Sequence, residues 1–320
     1  MKVVSLNDVE PGTGPRSVAI GTFDGVHLGH REVIRGSDTV LTFDPHPLSV
    51  IHPEATPKLL NAFPVKRDLI AGLGVEELVV IPFDRGFSEQ SAEEFVREVL
   101  IRRLGAERVS VGENFRFGKG ARGTADFLRS HDEFETNVTP LVEVEGETVS
   151  STQIRGLVAA GEVKEAAAFL GGPFLFEGVV VVGDRRGRTL DMPTANIVPD
   201  DAFVHPGHGV YAAFAHTMPS PAQPAEPGAS GTPHPAQPAE PAASGLAAAV
   251  NVGVRPTFET GRGLLVEAHL IDFEGDLYGQ TLRIAFVERM RGERRFESVD
   301  ELVEQMNRDV EEARAITASA

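Results

Sequence analysis

The sequence predicts an α/β domain with a doubly wound parallel sheet, followed by an antiparallel β-barrel that ends in a helix. Over residues 1–172, short apolar segments alternate with helical patterns, which is typical of a parallel sheet with helices on both faces. From residue 173 to 320, strand-like segments follow one another with turns between them. The chain has 320 residues, which is enough for two separate cores.

The strands of the first domain are predicted from five apolar segments. They are 17–21, 39–43, 77–82, 107–112 and 138–144. The clearest helix between them covers 91–104, where Ser91 and Glu94 form a capping box and Gly105 ends the helix. Ligands in such sheets bind at the carboxyl ends of the strands, so polar side chains that follow a strand are the candidate site residues.

The second domain is predicted from five more strand-like segments. They are 176–182, 209–215, 247–254, 264–272 and 281–290. Ser298 and Glu301 form a second predicted capping box, and an apolar stripe follows it, so the chain ends in a helix. We place the boundary near Gly171, which gives domains of 1–172 and 173–320.

Residues 218–246 differ from the rest of the chain. They contain an imperfect repeat rich in proline, alanine, glycine and serine. Such a composition cannot bury apolar surface, so we expect a disordered loop between two strands. The loop is either a docking segment for a partner or a tolerated surface insertion, and the composition favours the insertion.

Composition limits the classes of function. The formal net charge of −17 argues against a nucleic-acid partner, because nucleic-acid binders usually carry a basic surface. The chain has no cysteine, which excludes disulfides and thiolate sites. It has no apolar run long enough for a signal peptide or a membrane span. We therefore expect a cytoplasmic protein with small-molecule substrates and no membrane partner; an oligomer is possible but not indicated.

The segment 21–30 reads GTFDGVHLGH and follows an apolar run that ends at Ile20. At the start of a predicted helix, His27 and His30 face the same way. Helix N-termini attract anions, so these imidazoles can bind oxygens of a nucleotide triphosphate, and Gly29 lets a phosphate approach the backbone. This arrangement suits attack on the α-phosphorus. The spacing also fits a metal ligand at His27 or two polar surface histidines.

Two further segments follow predicted strands of the first domain. Asp44 and His46 end the second strand, so they should reach the same edge of the sheet as the histidines. Asn114 and Phe115 lie in a glycine-rich loop after the fourth strand. That loop suits a flat aromatic ligand, although a turn with two core phenylalanines, Phe115 and Phe117, explains it equally well.

A third segment, 150–155, reads SSTQIR and follows the fifth predicted strand. A hydroxyl side chain here can cap the next helix. Arg155, one turn into that helix, can bind phosphate oxygens with two N–H groups. The segment therefore predicts a phosphate contact.

In the second domain, residues 183–196 are basic and contain glycines. Arg188 and its neighbours give this acidic chain a local positive charge. Thr194 and Asn196 offer hard oxygen ligands that can hold Mg²⁺ together with ATP phosphates. A solvated arginine turn is the alternative. Further along, Glu267 lies on a predicted strand, where it is either a general base for a substrate hydroxyl or an ordinary salt-bridging residue.

Taken in order, the motifs GTFDGVHLGH, TFDPHP, VGENFRFG, SSTQIR, GDRRGR, PTAN and NVGVRPTF resemble those of the prokaryotic bifunctional riboflavin kinase/FMN adenylyltransferase (FAD synthetase) family. The resemblance covers nearly everything except the insertion at 218–246. It implies a Rossmann-like first domain of the HxGH nucleotidyltransferase type, which adenylylates FMN to FAD and releases pyrophosphate. It also implies a barrel that phosphorylates riboflavin to FMN with Mg²⁺ and ATP.

The resemblance implies a role for each matching residue. In the adenylyltransferase, His27 and His30 would be catalytic groups on the ATP phosphates. Its other nucleotide- and phosphate-binding residues would be Gly21, Thr22, Phe23, Gly29, Ser151, Thr152 and Arg155. The flavin-binding residues would be Asp44, His46, Asn114, Phe115 and Arg255. In the kinase, Glu267 would take the proton of the ribityl 5′-hydroxyl. Its nucleotide-binding residues would be Gly183, Arg188, Thr194 and Asn196, and Thr194 and Asn196 would also hold Mg²⁺.

The chain departs from the family pattern at two places besides the insertion. The segment 31–41 is short, which limits the helix of this crossover to about two turns. We expect this to lower stability before it affects chemistry. Asp191 stands where a glycine is usual, and it would either repel ATP or help to hold Mg²⁺.

Three other functions fit part of the sequence. The short crossover could impair adenylyl transfer and leave a riboflavin kinase only. A flavin-binding regulator without turnover would keep ligand contacts but would not need Glu267 or the histidine pair. Another nucleotidyltransferase of the HxGH type would leave the PTAN motif and Glu267 without a role.

Overall fold

A computed structural model of the chain describes residues 1–182, 193–218, 245–254 and 263–320. These residues form two compact units. The first unit contains Met1–Pro57 and Phe63–Ser151. The second contains Lys58–Ala62 and the described residues from Thr152 onward. The boundary after residue 172 stays a prediction of how the chain divides into domains.

The first unit is built on a six-stranded, fully parallel sheet with the order β1-β4-β3-β2-β5-β6. Its strands are β1 (Lys2–Ser5), β2 (Arg16–Ile20), β3 (Thr39–Asp44), β4 (Glu77–Pro82), β5 (Ala106–Gly112) and β6 (Glu135–Thr139). This confirms the predicted doubly wound fold. The chain runs from β2 outward to β3 and β4 and then returns to place β5 on the other side of β2.

Helices connect these strands. They are α1 (Leu28–Ile34), α2 (Pro47–Ile51), α3 (Phe63–Ala71), α4 (Arg85–Ser88), α5 (Ala92–Glu94) and α6 (Ala125–Arg129). Helix α5 continues as a π-helix over Phe95–Arg103. The capping box of Ser91 and Glu94 is present, as predicted. The seven residues of α1 also agree with the two turns that the short crossover allows.

Two apolar cores, one on each face, hold this sheet. Alternate strand residues point to opposite faces, so Ile20 and Leu41 join one buried cluster while Ala19 and Val40 join the other. The first cluster includes the apolar stripe of the π-helix. The second includes residues of α1 and α3. Helices therefore cover both faces, as the alternating pattern predicts.

The fifth predicted strand, 138–144, was wrong in position. The parallel strand is β6 (Glu135–Thr139), an edge strand whose side chains are exposed or only half-buried, so its sequence is polar and shows little apolar pattern. Pro140 follows it and lacks the N–H that a paired strand needs. The last two residues of the predicted strand belong instead to a two-stranded ribbon, β7 (Glu143–Val144) with β8 (Glu147–Thr148).

Ser151 begins α7 (Ser151–Ala160), and α8 (Val163–Leu170) follows it. The second unit is then a closed barrel with the order β10-β13-β12-β11-β14-β9. Its strands are β9 (Phe174–Val181), β10 (Ala195–Ile197), β11 (Gly209–Met218), β12 (Leu246–Val254), β13 (Leu264–Leu270) and β14 (Thr281–Arg291). The five predicted strands are present with shifted ends. The short strand β10 was not predicted, because three residues after a proline show no alternating pattern.

The chain ends in α9 (Val299–Ala318), which packs on the barrel through an apolar cluster around Ala212 and Ala313. A two-point ion pair also joins the helix to β14, with Arg291 nitrogens 2.9 and 2.6 Å from the two carboxylate oxygens of the buried Asp309. The second capping box is half formed. Ser298 caps the helix by accepting from the N–H of Glu301, but the Glu301 carboxylate accepts from the N–H of Glu297 instead.

The predicted disordered loop at 218–246 lies mostly outside the described residues. Strands β11 and β12, which flank it, pair with each other as neighbours in the barrel. Among the helices that the structure describes, none is long and apolar enough to cross a membrane.

Candidate functional site

The segment 21–30 lies at the topological switch point of the sheet. Strand β2 ends at Ile20, and its two neighbours, β3 and β5, are connected in opposite directions along the sheet. Crevices that bind ligands form at such points, outside the carboxyl ends of the strands. The position predicted for the histidine pair is therefore confirmed by the strand order.

The backbone of this segment is tightly constrained. Phe23 and Val26 both have positive φ angles, +49° and +43°, which are uncommon for residues with a side chain. Both side chains are fully buried, so packing holds the backbone in this conformation. Gly21 is required beside Phe23, because a Cβ atom there would lie 2.9 Å from the Phe23 ring. The loop is therefore a rigid platform.

His27 caps helix α1, and its ring stacks on that of His30. The Nδ1 atom of His27 accepts a hydrogen bond from the backbone N–H of His30 at 3.3 Å. The two ring centroids are 3.5 Å apart, with 17° between the planes. Since His27 Nδ1 accepts, the proton of the neutral ring is on Nε2. Gly29 protects this arrangement, because a Cβ atom there would lie 3.3 Å from the His27 ring.

His30 is held in the neutral form. Burial is the main cause that places its pKa well below 6.5, and electrostatic interactions with His27 and Lys66 act in the same direction. Its Nδ1 atom is buried and has no hydrogen-bond partner among the residues that the structure describes. The edge of Phe23 also packs against the ring, with the centroids 5.4 Å apart. The pair can therefore donate neutral N–H groups to a ligand.

Lys66 is a residue of this site that the sequence did not reveal. It lies in α3, and its Nζ donates to the backbone carbonyl of Thr22 at 3.2 Å. Burial lowers the pKa of Lys66, while the carboxylates of Asp24 and Asp44 raise it. No motif surrounds Lys66 in the sequence, so only the packing of α3 identifies it.

Three other predicted residues have defined positions in the first unit. The Ser151 hydroxyl donates to the carbonyl of Asp24 at 2.9 Å, which joins it to the loop that carries the histidines. Asp44 is exposed at the end of β3. His46 caps α2, and its Nδ1 accepts from the N–H of Leu48 at 3.2 Å. The prediction that 150–155 follow a parallel strand was wrong, because the ribbon of β7 and β8 intervenes.

The loop after β5 carries one buried and one half-buried phenylalanine, and its role in binding a flat ligand stays a prediction. Phe117 is buried in the core of the first unit. Phe115 is half-buried and stacks on Phe117, with centroids 5.5 Å apart and 18° between the planes. Asn114 is exposed. Phe115 thus has a core side and an accessible side, and Asn114 stands beside it.

The remaining phosphate candidates belong to the second unit or lie outside the described residues. Thr152 and Arg155 are in the second unit, where Arg155 Nε donates to the carbonyl of Lys58 at 2.7 Å. The candidates outside the described residues are Gly183, Arg188 and Arg255. Asp191 lies there too.

In the barrel, polar residues form a row across three strands. Asn196 in β10 stands directly opposite Glu267 in β13, and Glu267 stands directly opposite Asn251 in β12. Opposed residues in antiparallel strands project from the same face, so these three side chains are neighbours. Asn196 was predicted to lie between strands but belongs to a strand itself. Asn251 was not predicted, since only the register identifies it.

The segment before β10 is fixed by two hydrogen bonds. His269 Nδ1 lies 2.9 Å from the carbonyl of Pro193. The Asn196 amide donates from Nδ2 to the carbonyl of Thr194 at 3.2 Å. The Asn196 amide also has an oxygen, and Thr194 has a hydroxyl. Both are hard ligands of the kind that Mg²⁺ prefers, so the two residues fit the predicted metal role. No group of three His, Cys, Asp or Glu side chains suited to a metal occurs in the described part of the chain.

A cavity opens beside these residues. Its lining includes Thr194, Asn196, Leu270, Phe273, Asp276 and Tyr278. The loop that contains 273–278 was not predicted to contribute. Its sequence contains the turn-forming Glu-Gly-Asp, which in isolation indicates only a connection between β13 and β14. Its lining combines apolar residues with a few polar ones, as small-molecule sites usually do.

A sheet with an imidazole-bearing loop at its switch point, together with a barrel whose cavity is lined by both apolar and polar residues, indicates an enzyme that handles nucleotides. Comparison with known proteins identifies the family. Residues 10–153 match the family FAD synthetase, and residues 170–317 match the family riboflavin kinase. The chain belongs to the bifunctional riboflavin kinase/FMN adenylyltransferases, which confirms the resemblance seen in the motifs.

Two curated relatives and one solved structure illustrate the match. The enzyme of this name from Bacillus subtilis (strain 168) is 31% identical over 311 residues, which covers 92% of this chain and 90% of the relative. The one from Escherichia coli (strain K12) is 34% identical over 307 residues, covering 91% and 90%. A crystal structure of a macrolide-efflux protein from Streptococcus pneumoniae has 30% identity and a TM-score of 0.79, covering 98% of this chain and 99% of its own.

Proposed function

We propose that this chain makes FMN in its barrel unit and FAD in its sheet unit. The barrel phosphorylates riboflavin with ATP, and the sheet unit transfers AMP from ATP to FMN. The observation that supports this division most strongly is that each unit has its own set of reactive groups. The stacked histidines stand at the switch point of the sheet, and the row containing Glu267 stands on the barrel.

In the adenylyl transfer, a phosphate oxygen of FMN attacks the α-phosphorus of ATP. The bond from that phosphorus to the bridging oxygen breaks, and pyrophosphate leaves with the electron pair. Neutral His27 and His30 donate hydrogen bonds to the phosphate oxygens where negative charge develops. Donors fixed in advance by a rigid loop stabilise such charge effectively. No covalent intermediate on the protein is needed.

The other residues that the motifs predict bind the two substrates. We assign the nucleotide and its phosphates to Gly21, Thr22, Phe23, Gly29, Ser151, Thr152 and Arg155. We assign the flavin to Asp44, His46, Asn114 and Phe115, with Arg255 as a further flavin-binding residue. The accessible side of the half-buried Phe115 suits a planar ring.

In the kinase reaction, Glu267 accepts the proton of the ribityl 5′-hydroxyl, and the oxygen attacks the γ-phosphorus as ADP leaves. Thr194 and Asn196 bind Mg²⁺ and the ATP phosphates, with Gly183 and Arg188 as additional nucleotide contacts. When bound, Mg²⁺ neutralises phosphate charge, which is the main requirement of phosphoryl transfer. Two protein ligands are enough, because this ion usually keeps waters and phosphate oxygens in its coordination shell.

The short crossover does not by itself favour a kinase-only protein. Helix α1 has only seven residues, yet its first turn carries the complete histidine pair. The cytoplasmic location and the absence of a nucleic-acid partner remain predictions from composition.

One assay tests the proposed function. The full chain is incubated with riboflavin, ATP and Mg²⁺, and the flavins are separated by chromatography. We expect FMN to appear first and FAD to follow. FMN alone would indicate a riboflavin kinase only, and neither product, with flavin still bound, would indicate a regulator without turnover.

A further inference from the structure

Lys66 carries a charge that acts on His30, and the mechanism proposed above gives it no role. We propose that Lys66 is a further catalytic residue of the adenylyl transfer, whose ammonium group binds the phosphate chain of ATP beside His30. This proposal rests on the proposed function of the sheet unit.

The geometry places the ammonium group at the phosphate-binding loop. Helix α3 lies beyond β3 in the sequence, yet Lys66 Nζ lies 3.2 Å from the carbonyl of Thr22, two residues after the end of β2. The buried hydroxyl of Thr42 in β3 donates to the same carbonyl, also at 3.2 Å. Two donors from different elements therefore fix Thr22, and the Lys66 side chain is held in place with it.

The ammonium group has unused hydrogen-bonding capacity. It carries three N–H donors, and within the described part of the chain its one hydrogen bond is to Thr22. The carboxylates of Asp24 and Asp44 act on it through their charge and oppose the effect of burial on its pKa. A half-buried cation with donors to spare is costly unless an anion completes its shell. A phosphate group supplies both the negative charge and the acceptors.

The neighbouring histidines make this charge necessary. His27 and His30 donate as neutral groups, and His30 is kept neutral partly by Lys66 itself. Adenylyl transfer leaves additional negative charge on the pyrophosphate, which neutral donors compensate only in part. Lys66 would supply the full positive charge. It stays protonated throughout, while the new bond forms from FMN oxygen to the α-phosphorus and pyrophosphate leaves.

The test compares three variants of the full chain. In Lys66→Met we expect the turnover of FMN to FAD to fall by about 100-fold or more, as for loss of one oxyanion donor, with FMN formation from riboflavin unchanged. Lys66→Arg, which keeps the charge, should recover much of the loss. Lys2→Met removes an exposed lysine of the same unit, paired with Glu77, and should leave both reactions unchanged. FAD formation by Lys66→Met at the wild-type rate would overturn the proposal.

If the wild type makes no FAD, that result refutes the proposed function but does not test the role of Lys66. A second measurement tests that role separately. Binding of inorganic pyrophosphate is measured by calorimetry for the wild type and the same variants. We expect Lys66→Met to weaken binding at least 10-fold and Lys2→Met to leave it unchanged. Equal binding by all three proteins would contradict the role of Lys66. If Lys66→Met also loses kinase activity, pyrophosphate binding is compared between Lys66→Gln and Lys66→Arg instead. Weaker binding by Lys66→Gln supports the role of Lys66, and equal binding contradicts it.

Discussion

Asn196 and Glu267 stand directly opposite each other on the antiparallel strands β10 and β13 of the barrel. Their side chains therefore project from the same face at neighbouring positions. The carboxylate proposed to accept a proton is thus fixed next to the amide proposed to hold the metal and the nucleotide. A rigid strand pair, rather than a mobile loop, sets the distance between the two functions.

Glu267→Gln should abolish the kinase selectively. The amide is nearly the same size as the carboxylate but cannot accept the proton of the ribityl hydroxyl, so we expect kcat for FMN formation to fall at least 100-fold. The rate from FMN to FAD should stay within about twofold. Glu288→Gln, a half-exposed glutamate of β14 paired with Lys164, is the matched control and should leave both rates unchanged. A Glu267→Gln protein with normal FMN formation would exclude the general-base role.

Gly29→Ala should impair adenylyl transfer without unfolding the sheet unit. The added methyl group would lie 3.3 Å from the His27 ring, so the ring, which stacks on His30, must shift slightly to make room. We expect FAD formation from FMN to fall about 10-fold or more, since small misplacements of donors have large effects on rate. Gly72→Ala, where the new methyl group meets only ordinary contacts, should behave like the wild type. Equal activity of the two variants would show that the stack has no role.

The imidazole of His30 should stay neutral at mildly acidic pH. Because burial and electrostatic interactions with His27 and Lys66 lower its pKa, its NMR titration should have a midpoint below 6.5, with the signal assigned by its loss in His30→Gln. As the pH falls below 6.5, an unfolded chain would bind a proton at this residue and the folded chain would not, so His30 reduces stability on the acid side only. A midpoint at or above 6.5 would contradict the neutral donor.

Much of the fold could be predicted from the sequence because the spacing of apolar residues follows the pattern of buried side chains. The buried strands and the π-helical stripe carry clear apolar patterns, and their ends differ from the prediction by a few residues. Edge strands are harder to predict because they lack this pattern. Strand β6 is polar because its side chains are not buried. Strand β1 has four residues and β10 has three, which is too short for a period to appear.

The candidate site could be predicted only where a motif lies along the chain. His27 and His30 are three residues apart, so one helical turn brings them together. Lys66 and Thr22 are far apart in sequence and meet only because α3 packs beside β2. Asn251 joins Glu267 through strand register. Register and packing depend on the whole fold, and no local pattern encodes them.

Asp309→Ala should destabilise the barrel unit. It leaves the guanidinium of Arg291 without its carboxylate partner at a largely buried position, so we expect a loss of about 3 kcal/mol in the free energy of unfolding. The double variant Arg291→Met/Asp309→Leu removes both charges and should be more stable than Asp309→Ala. Urea unfolding of the full-length proteins measures both. If the losses in Arg291→Met and in Asp309→Leu, each measured alone, add up to the loss in the double variant, the ion pair does not couple.

The most direct test of two independent centres is complementation between two proteins that each lack one of the two reactions. Glu267→Gln alone, supplied with riboflavin, ATP and Mg²⁺, should make neither FMN nor FAD. His30→Ala alone should make FMN and stop. Mixed together, the two proteins should make FAD, because FMN released by His30→Ala is adenylylated by Glu267→Gln. Absence of FAD from the mixture, with both proteins folded, would contradict the assignment of the two reactions to separate sites.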